Sequence, residues 1–205
     1  LPVDGVIIVD PIKDEPLLGA LQLSGTPVVT TGRDPSRREM DERWVDNDLY
    51  QATLDMLAHL TAQGAKQVAV IASSSIYSYS EDAVRAYKDW CAQRGEAPVI
   101  GEVQGPLSEN GAYQQALALL DSSSRPDAIH CVTDRYAFGV LLAAQAMGLR
   151  VPEDLMISAG TDGDAAANNT PSVTAMQLNP ESIGREAVEL LINLIERLPE
   201  VYSRV

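Results

Sequence analysis

The sequence has few of the residues that build metal centres, disulfide frameworks and histidine-dependent active sites. Only two of its 205 residues are cysteine and two are histidine. Cys91 falls in a helical pattern and Cys131 in a strand pattern, without paired spacing, so we expect two buried thiols in a reduced, intracellular setting. His59 and His130 stand far apart, without an acid or nucleophile at catalytic spacing, and we expect both to be structural. The sequence therefore predicts no metal site and no cofactor.

Basic residues and long apolar runs are also scarce. Lys and Arg number 15 against 29 Asp and Glu, for a net charge of −14, and such a surface repels the phosphate backbone of nucleic acids. No apolar run approaches the ~20 residues that span a membrane. The G-x-S-x-G, G-x-G-x-x-G and P-loop motifs are absent. We therefore expect no enzyme, no membrane protein and no DNA contact from this part of the chain.

Short β-type apolar runs alternate with amphipathic stretches, which predicts an α/β fold with parallel sheets flanked by helices. The predicted strands are Val6–Val9, Pro27–Thr30, Trp44–Asp46, Gln67–Ala72, Pro98–Val103, Asp127–Thr133, Leu155–Ser158 and Val173–Gln177. We expect two lobes that face each other across a cleft, with residues 1–65 and 172–205 in the first and 66–171 in the second. The strand Val173–Gln177 and the helix Ile183–Leu198 would cross back to complete the first lobe.

One run, Val151–Asp162, combines a loop, a buried strand and a carboxylate in that order. Asp162 follows the carboxyl end of the strand, which is where open parallel sheets bind ligands. A carboxylate there can accept hydrogen bonds from the hydroxyl or amine groups of a ligand. The alternative is a loop aspartate that caps a turn. Asp162 is the first candidate for a ligand-binding residue.

The same run resembles the (R)VPEDVSVVGFDD signature of bacterial transcription regulators of the LacI/GalR family. Other segments are similar to family motifs in the same order: Asp4–Ile8 to DGVIL, Thr26–Val29 with Gly32–Asp34 to IPVVxxDR, Val45–Asn47 to VDN, Ala58–Leu60 with Gly64 to HLxxxGH, Asp134–Gly139 to NDxxAxG, and Pro171–Gln177 to PPLTTVxQ. The resemblance covers nearly the whole chain.

The resemblance implies a two-lobed fold like that of periplasmic binding proteins. A small effector, a sugar or similar polar metabolite, would bind in the cleft between the lobes and control DNA affinity allosterically. The family also implies a cytoplasmic homodimer that meets operator DNA through a separate headpiece. Because the chain starts at Leu1 in mid-pattern, we expect the headpiece and the first strands of the first lobe to be missing. A periplasmic sugar-binding receptor of a transport system is the alternative.

Three departures from the family motifs concern the ligand. Where the family has SAxxRxxGY, the arginine position falls on Ala83, and an arginine there would clamp an oxygen-rich ligand. The family's AND becomes Val132-Thr133-Asp134, and its GFDD becomes Gly160-Thr161-Asp162-Gly163. These changes argue against the usual sugar pose.

Six further positions are candidates for contact with a ligand: Thr133, Asp134, Tyr77, Tyr79, Leu107 and Gln177. Asp134 would serve equally well as a helix N-cap. The hydroxyls and rings of the Ser73–Tyr79 loop suit a polar, ring-shaped ligand, although the segment also fits an ordinary serine-rich surface loop. Leu107 stands where the family often places a stacking aromatic residue. Asp46 is expected to be structural or linked to a hinge.

Overall fold

The predicted alternation of strands and helices folds into two parallel sheets, in a computed structural model that describes residues 3–36, 43–74 and 76–197. The elements are β1 (Val6–Val9), α1 (Pro16–Leu23), β2 (Val28–Thr31), β3 (Trp44–Val45), α2 (Leu49–Ala62), β4 (Val68–Ser73), α3 (Ser78–Arg94), β5 (Ile100–Val103), α4 (Glu109–Leu120), β6 (Ala128–Cys131), α5 (Asp134–Ala146), β7 (Met156–Ala159), α6 (Asp164–Asn168), β8 (Thr174–Ala175) and α7 (Pro180–Arg197). All paired strands named here run parallel. The predicted α/β fold class is confirmed. Ser75 and Leu198, which belong to a predicted loop and a predicted helix, lie outside the described residues.

The first of two compact units, unit 1, comprises Leu1–Asn47, Ile76–Ser78 and Asn179–Val205. Its three-stranded sheet has the order β1-β2-β3. Helix α7 packs on this sheet, and Gly5 allows the close approach, since a Cβ there would lie 2.8 Å from Leu191 Cδ1. The carboxyl ends of the three strands therefore share one edge of unit 1.

Unit 2 comprises Asp48–Ser75 and Tyr79–Leu178. Its five-stranded sheet has the order β5-β4-β6-β7-β8. Strand β4 is buried along its whole length, as expected for a continuous apolar run inside a parallel sheet. The large apolar core of the described residues forms around this sheet. Helices α4 and α5 pack directly against each other.

The helix ends follow local rules that the sequence makes visible. The Asp48 side chain accepts the N–H of Gln51 at 2.9 Å and begins α2, and Ser108 accepts the N–H of Gly111 at 3.1 Å and begins α4. Helix α2 ends before Gly64, which has φ +106° and adopts the backbone conformation that glycine favours after a helix. These positions fix where the chain turns back toward the next strand.

The division into units differs from the predicted lobe boundaries at two elements. The predicted strand Val173–Gln177 was expected to complete the first lobe, but β8 pairs with β7 in unit 2, with Ser158 opposite Thr174. Helix α2 also belongs to unit 2, because its buried Leu57 and Leu60 join the core of that unit. Hydrophobic periodicity predicts a strand or helix but not the sheet on which it packs. The short helix α6 was not predicted.

The first half of the Val151–Asp162 run forms a clamped turn at the amino end of β7. The Arg150 Nε and Nη2 atoms each lie 2.8 Å from an oxygen of the Asp154 carboxylate, and the backbone N–H of Arg150 donates to the same carboxylate at 2.9 Å. These hydrogen bonds hold the pKa of Asp154 well below its usual value. The segment 152–154 therefore stabilises the turn before β7, at the edge of the sheet opposite to Asp162.

Cys91 and Cys131 are both buried free thiols, as predicted. Burial raises the pKa of each thiol, so neither is poised as a nucleophile. Among the helices of the described residues, none combines the length and the apolar character needed to cross a membrane.

Candidate functional site

The carboxyl edge of the unit 2 sheet has a topological switch point. The chain passes from β4 to β5 on one side and then returns to β6 on the other side of β4. Open parallel sheets bind ligands outside the carboxyl ends of strands at such a reversal. The loops that follow β6 and β7 carry Thr133, Thr161 and Asp162 at this edge, and Asp134 begins α5 beside them. We name these four residues, together with Gly163, the α5 corner.

Side chains of the α5 corner accept three N–H groups of the first turn of α5. Thr133 is the N-cap, and its Oγ1 accepts the N–H of Tyr136 at 3.4 Å. The N–H of Asp134 donates to Thr161 Oγ1 at 2.7 Å, and the N–H of Arg135 donates to Asp134 Oδ1 at 2.7 Å. The expectation of an N-cap at Asp134 is therefore corrected by one residue, because the β-branched hydroxyl of Thr133 precedes the first helical residue.

The carboxylate of Asp134 lies against Gly163. A Cβ added to Gly163 would collide with Asp134 Oδ2. The backbone of Gly163 has φ −56° and ψ 148°, which any residue can adopt. A side chain at position 163 would therefore compete for space with the Asp134 carboxylate, while the backbone conformation sets no such limit. Gly163 stands where the family motif GFDD has its second aspartate, and the missing side chain leaves space for the carboxylate of Asp134.

Asp162 lies beyond β7 at the surface of the same edge. Its Oδ1 accepts the N–H of Leu178 at 3.3 Å, which ties the loop after β7 to the chain just after β8. The exposed Gln177 directly precedes Leu178. The N–H of Met176 donates to Ala159 O at 3.0 Å and so extends the pairing of β8 with β7. The structure thus brings Gln177 to the segment bound by Asp162.

Ser73, the first residue of the predicted Ser73–Tyr79 loop, is the last residue of β4 and adds a buried hydroxyl at the switch point. The residue is 4% exposed, and its Oγ has no hydrogen-bond partner among the described residues. Strand register pairs Ile71 with Cys131, and Ser73 and Thr133 each follow two residues after this pair. Because buried polar groups normally have a hydrogen-bond partner, a buried hydroxyl without one at the carboxyl edge of the sheet makes Ser73 a candidate for ligand contact.

The other predicted contact residues occupy different surroundings. Tyr79 and Leu107 are partly buried and pack against the apolar core of unit 2. Tyr77 belongs to unit 1, where it forms a β-bridge with Ile12 and the neighbouring Ile76 O accepts the N–H of Lys13 at 2.7 Å. Contact of these three residues with a ligand stays a prediction.

Ala83, at the position of the family's pocket arginine, is buried in the core. Arg85, two residues later, extends elsewhere: its Nη2 lies 2.9 Å from Asp82 Oδ1, and its guanidinium stacks 4.9 Å above the ring of Tyr50. The first turns of α3 therefore place no arginine where the family motif has one.

The carboxyl edge of unit 1 carries a second polar group. Asp46 follows β3, and Arg33 Nε lies 3.9 Å from Asp46 Oδ2 while its guanidinium stacks 5.5 Å from the ring centre of Trp44. Burial raises the pKa of Asp46 to about 6, against the lowering effects of a hydrogen bond from the Asn47 N–H and of Arg33. Burial also raises the pKa of Asp10 at the end of β1. Asp46 thus has a defined partner in the sheet of its own unit.

Both histidines lie within elements of unit 2, His59 on α2 and His130 on β6. His130 is fully buried on β6 with its Nδ1 3.0 Å from Ser158 Oγ. Burial lowers its pKa to about 4. Among residues 3–36, 43–74 and 76–197, no group of three His, Cys, Asp or Glu side chains could hold a metal ion.

A family model described as "Periplasmic binding protein-like domain" matches residues 57–205. The chain belongs to this family. Within it, the HTH-type transcriptional regulator CelR of Thermobifida fusca is 26% identical over 194 residues, which cover 94% of this chain and 57% of CelR. The chain therefore spans little more than half the length of this curated relative.

Solved structures of LacI-family regulators share the fold of this periplasmic binding protein-like domain. A regulatory protein of the LacI family from Chloroflexus aggregans has a TM-score of 0.86 at 27% identity, covering 97% of this chain and 71% of that chain. A complex of transcriptional regulator CelR with cellobiose has a TM-score of 0.88 at 25% identity, covering 95% of this chain and 60% of that chain. The predicted resemblance to the LacI/GalR family is confirmed.

Proposed function

We propose that this chain is the effector-binding and dimerisation domain of a bacterial DNA-binding transcription regulator. The effector is a small polar metabolite such as a sugar, and its binding changes DNA affinity allosterically. The relatives support this assignment, since CelR is a transcriptional regulator and has a structure in complex with cellobiose. The protein functions as a regulator and not as an enzyme.

The α5 corner carries the proposal of an effector site. Two carboxylates, Asp134 and Asp162, stand at the ends of adjacent strands β6 and β7. The buried hydroxyl of Ser73 lies at the end of β4, across the switch point. Binding sites place a small number of polar groups that converge on the ligand in this way.

Dimerisation and DNA binding are assigned to separate surfaces. Leu142 on α5 and Met147, the residue just after α5, are 47% and 36% exposed, which offers an apolar surface to a second copy of the chain. With a net charge of −14, DNA contact requires a basic segment other than this domain. A cytoplasmic homodimer with a DNA-binding headpiece combines these features. Leu142→Glu should shift the dimer toward monomer in analytical ultracentrifugation, and an unchanged sedimentation coefficient would contradict the use of this face.

The alternative function is a periplasmic sugar-binding receptor of a transport system, which the family description also covers. The similarity to CelR over 94% of this chain favours the regulator. The segment encoded before this domain decides between the two: a helix-turn-helix supports the regulator, and a secretion signal supports the receptor.

Replacement of Asp162 by alanine tests the effector site. Loss of a hydrogen bond to a charged acceptor is worth about 1.5–3 kcal/mol, so we expect affinity to fall at least about tenfold. The measurement is calorimetry with cellobiose first and then a panel of neutral sugars and nucleosides. Asp121→Ala is the matched control, because Asp121 is an exposed aspartate at the carboxyl end of α4, before the opposite edge of the sheet. Unchanged affinity in Asp162→Ala would refute the assignment of this residue.

A further inference from the structure

An aspartate or asparagine is followed directly by glycine at Asp4-Gly5, Asn110-Gly111 and Asp162-Gly163. Because glycine has no Cβ, its backbone is the least hindered and the most mobile of any residue. Its nitrogen can attack the side-chain carbonyl carbon of the residue before it, and the main chain is then rerouted through that side chain. From the sequence alone, Asn110 should react fastest, because ammonia leaves an amide more readily than water leaves a carboxyl group.

The fold protects Asn110 from this reaction. Gly111 lies in the first turn of α4, and its N–H donates to Ser108 Oγ at 3.1 Å. A Cβ on Gly111 would lie 2.6 Å from Val103 Cγ1, so the glycine packs closely on β5. Attack by this nitrogen would break the capping hydrogen bond and open the first turn of the helix. Asn110 should therefore react slowly while the protein is folded.

Asp4-Gly5 is held at the start of β1. A Cβ on Gly5 would lie 2.8 Å from Leu191 Cδ1 on α7, and the N–H of the next residue, Val6, donates to Pro27 O at 2.9 Å. Turning the Gly5 nitrogen toward the Asp4 side chain would disturb both contacts. The fold therefore slows this site as well.

Asp162-Gly163 has much weaker restraints. The pair lies between β7 and α6 without regular secondary structure, and Asp162 is exposed. Its Oδ1 accepts the N–H of Leu178 at 3.3 Å, which is longer than the usual range for such a bond. The atoms closest to a Cβ on Gly163 belong to the end of the Asp134 side chain, which can rotate away. Segments of this kind open locally at the lowest free-energy cost.

We propose that Asp162 is a site of spontaneous isomerisation to isoaspartate in the folded protein. The Gly163 nitrogen attacks Cγ of the neutral carboxyl group, a C–N bond forms, the nitrogen loses its proton, and one water leaves. The product is a five-membered succinimide. Its hydrolysis consumes one water, and cleavage between the ring nitrogen and the main-chain carbonyl carbon of Asp162 leaves the main chain running through Cβ and Cγ. The reaction needs only water, and it moves the carboxylate away from the N–H of Leu178.

Ageing of the folded and the unfolded chain tests the proposal. The protein is incubated at neutral pH with and without guanidinium chloride, and isoaspartate is counted at each site by methyltransferase labelling and electron-transfer fragmentation of peptides. Relative to the unfolded chain, we expect folding to slow Asn110 at least about tenfold and Asp162 less than about threefold. Isoaspartate that forms at Asp162 in guanidinium chloride but not in the folded protein would overturn the proposal. Equal rates for Asn110 in both states would overturn the ranking of the sites by structure.

A variant with a longer side chain assigns the signal to Asp162. Asp162→Glu keeps the carboxylate, but the extra methylene replaces the five-membered ring with a less favourable six-membered one. We expect this variant to lose the isoaspartate signal in the peptide that contains residues 162 and 163. The signal at Asp4 in the same sample is the internal control and should not change. A signal that persists in the peptide of Asp162→Glu would contradict the assignment to Asp162.

Discussion

Two helical glycines differ in the space that a side chain would find. Gly139 lies where α5 packs on α4, and Gly184 lies on α7. A Cβ on Gly139 of α5 would collide with the carbonyl oxygen of Glu109 and lie 2.8 Å from the Tyr113 nitrogen and 2.9 Å from Ala112 Cβ. Two of these three atoms are backbone, so relief requires a shift of α4. Gly184 of α7 meets no atom within 4 Å.

The two alanine substitutions should therefore change the free energy of unfolding in opposite directions. Alanine gains about 1 kcal/mol over glycine within a helix, and overpacking typically destabilises by about 1–3 kcal/mol. Because the collision involves backbone, we expect an overpacking cost in the upper part of this range, about 2–3 kcal/mol, so that Gly139→Ala lowers the free energy of unfolding by about 1–2 kcal/mol net. Gly184→Ala should raise it by up to about 1 kcal/mol.

Urea denaturation followed by circular dichroism measures both changes. The slope of each transition should match wild type, so that a shifted midpoint reports stability alone. A Gly139→Ala variant as stable as wild type would refute the close packing of α4 on α5. It would also remove the support that α5 gives to the candidate site at its first turn.

Two further predictions concern buried polar groups. The pKa of His130 is near 6.5 in the unfolded state and about 4 in the folded state, so the unfolded state binds more protons between these pH values. The free energy of unfolding should therefore fall by about 2 kcal/mol from pH 7 to pH 5. A His130→Gln variant should lose this pH dependence, and an equal pH slope in both proteins would contradict the burial of His130. Tyr87→Phe should lower the free energy of unfolding, measured by urea denaturation, by about 1–3 kcal/mol. The reason is that the Tyr87 hydroxyl donates to Val68 O at 2.7 Å and accepts the Val99 N–H at 3.0 Å. An unchanged midpoint would contradict the contribution of these two hydrogen bonds.

Much of the fold could be predicted because its signals are local. Apolar alternation identified the strands, and residues such as Ser108 and Gly64 marked helix ends through capping and backbone conformation. The sheet that receives β8 could not be predicted, since Thr174 and Ala175 carry no mark of their partners Ser158 and Ala159. Pairing between distant strands is decided by the fold as a whole.

The position of Asp162 could be predicted, because a residue after a strand necessarily lies at the sheet edge. Its contact with a ligand stays a prediction. The contact between Asp134 and Gly163 joins two loops that only the sheet brings together, and the sequence showed just a missing aspartate. Tyr79 and Leu107 were selected for their side-chain types, but they pack against the core.

Hydrogen–deuterium exchange with and without bound ligand tests the central claim most directly. The ligand is the sugar that gives the largest thermal shift at saturating concentration, beginning with cellobiose. We expect slower exchange at Thr133–Tyr136 and at Gly160–Gly163, the two segments that contain the α5 corner. Unchanged exchange at both loops, with protection confined to other parts of unit 2, would contradict the assignment of the effector site to this corner.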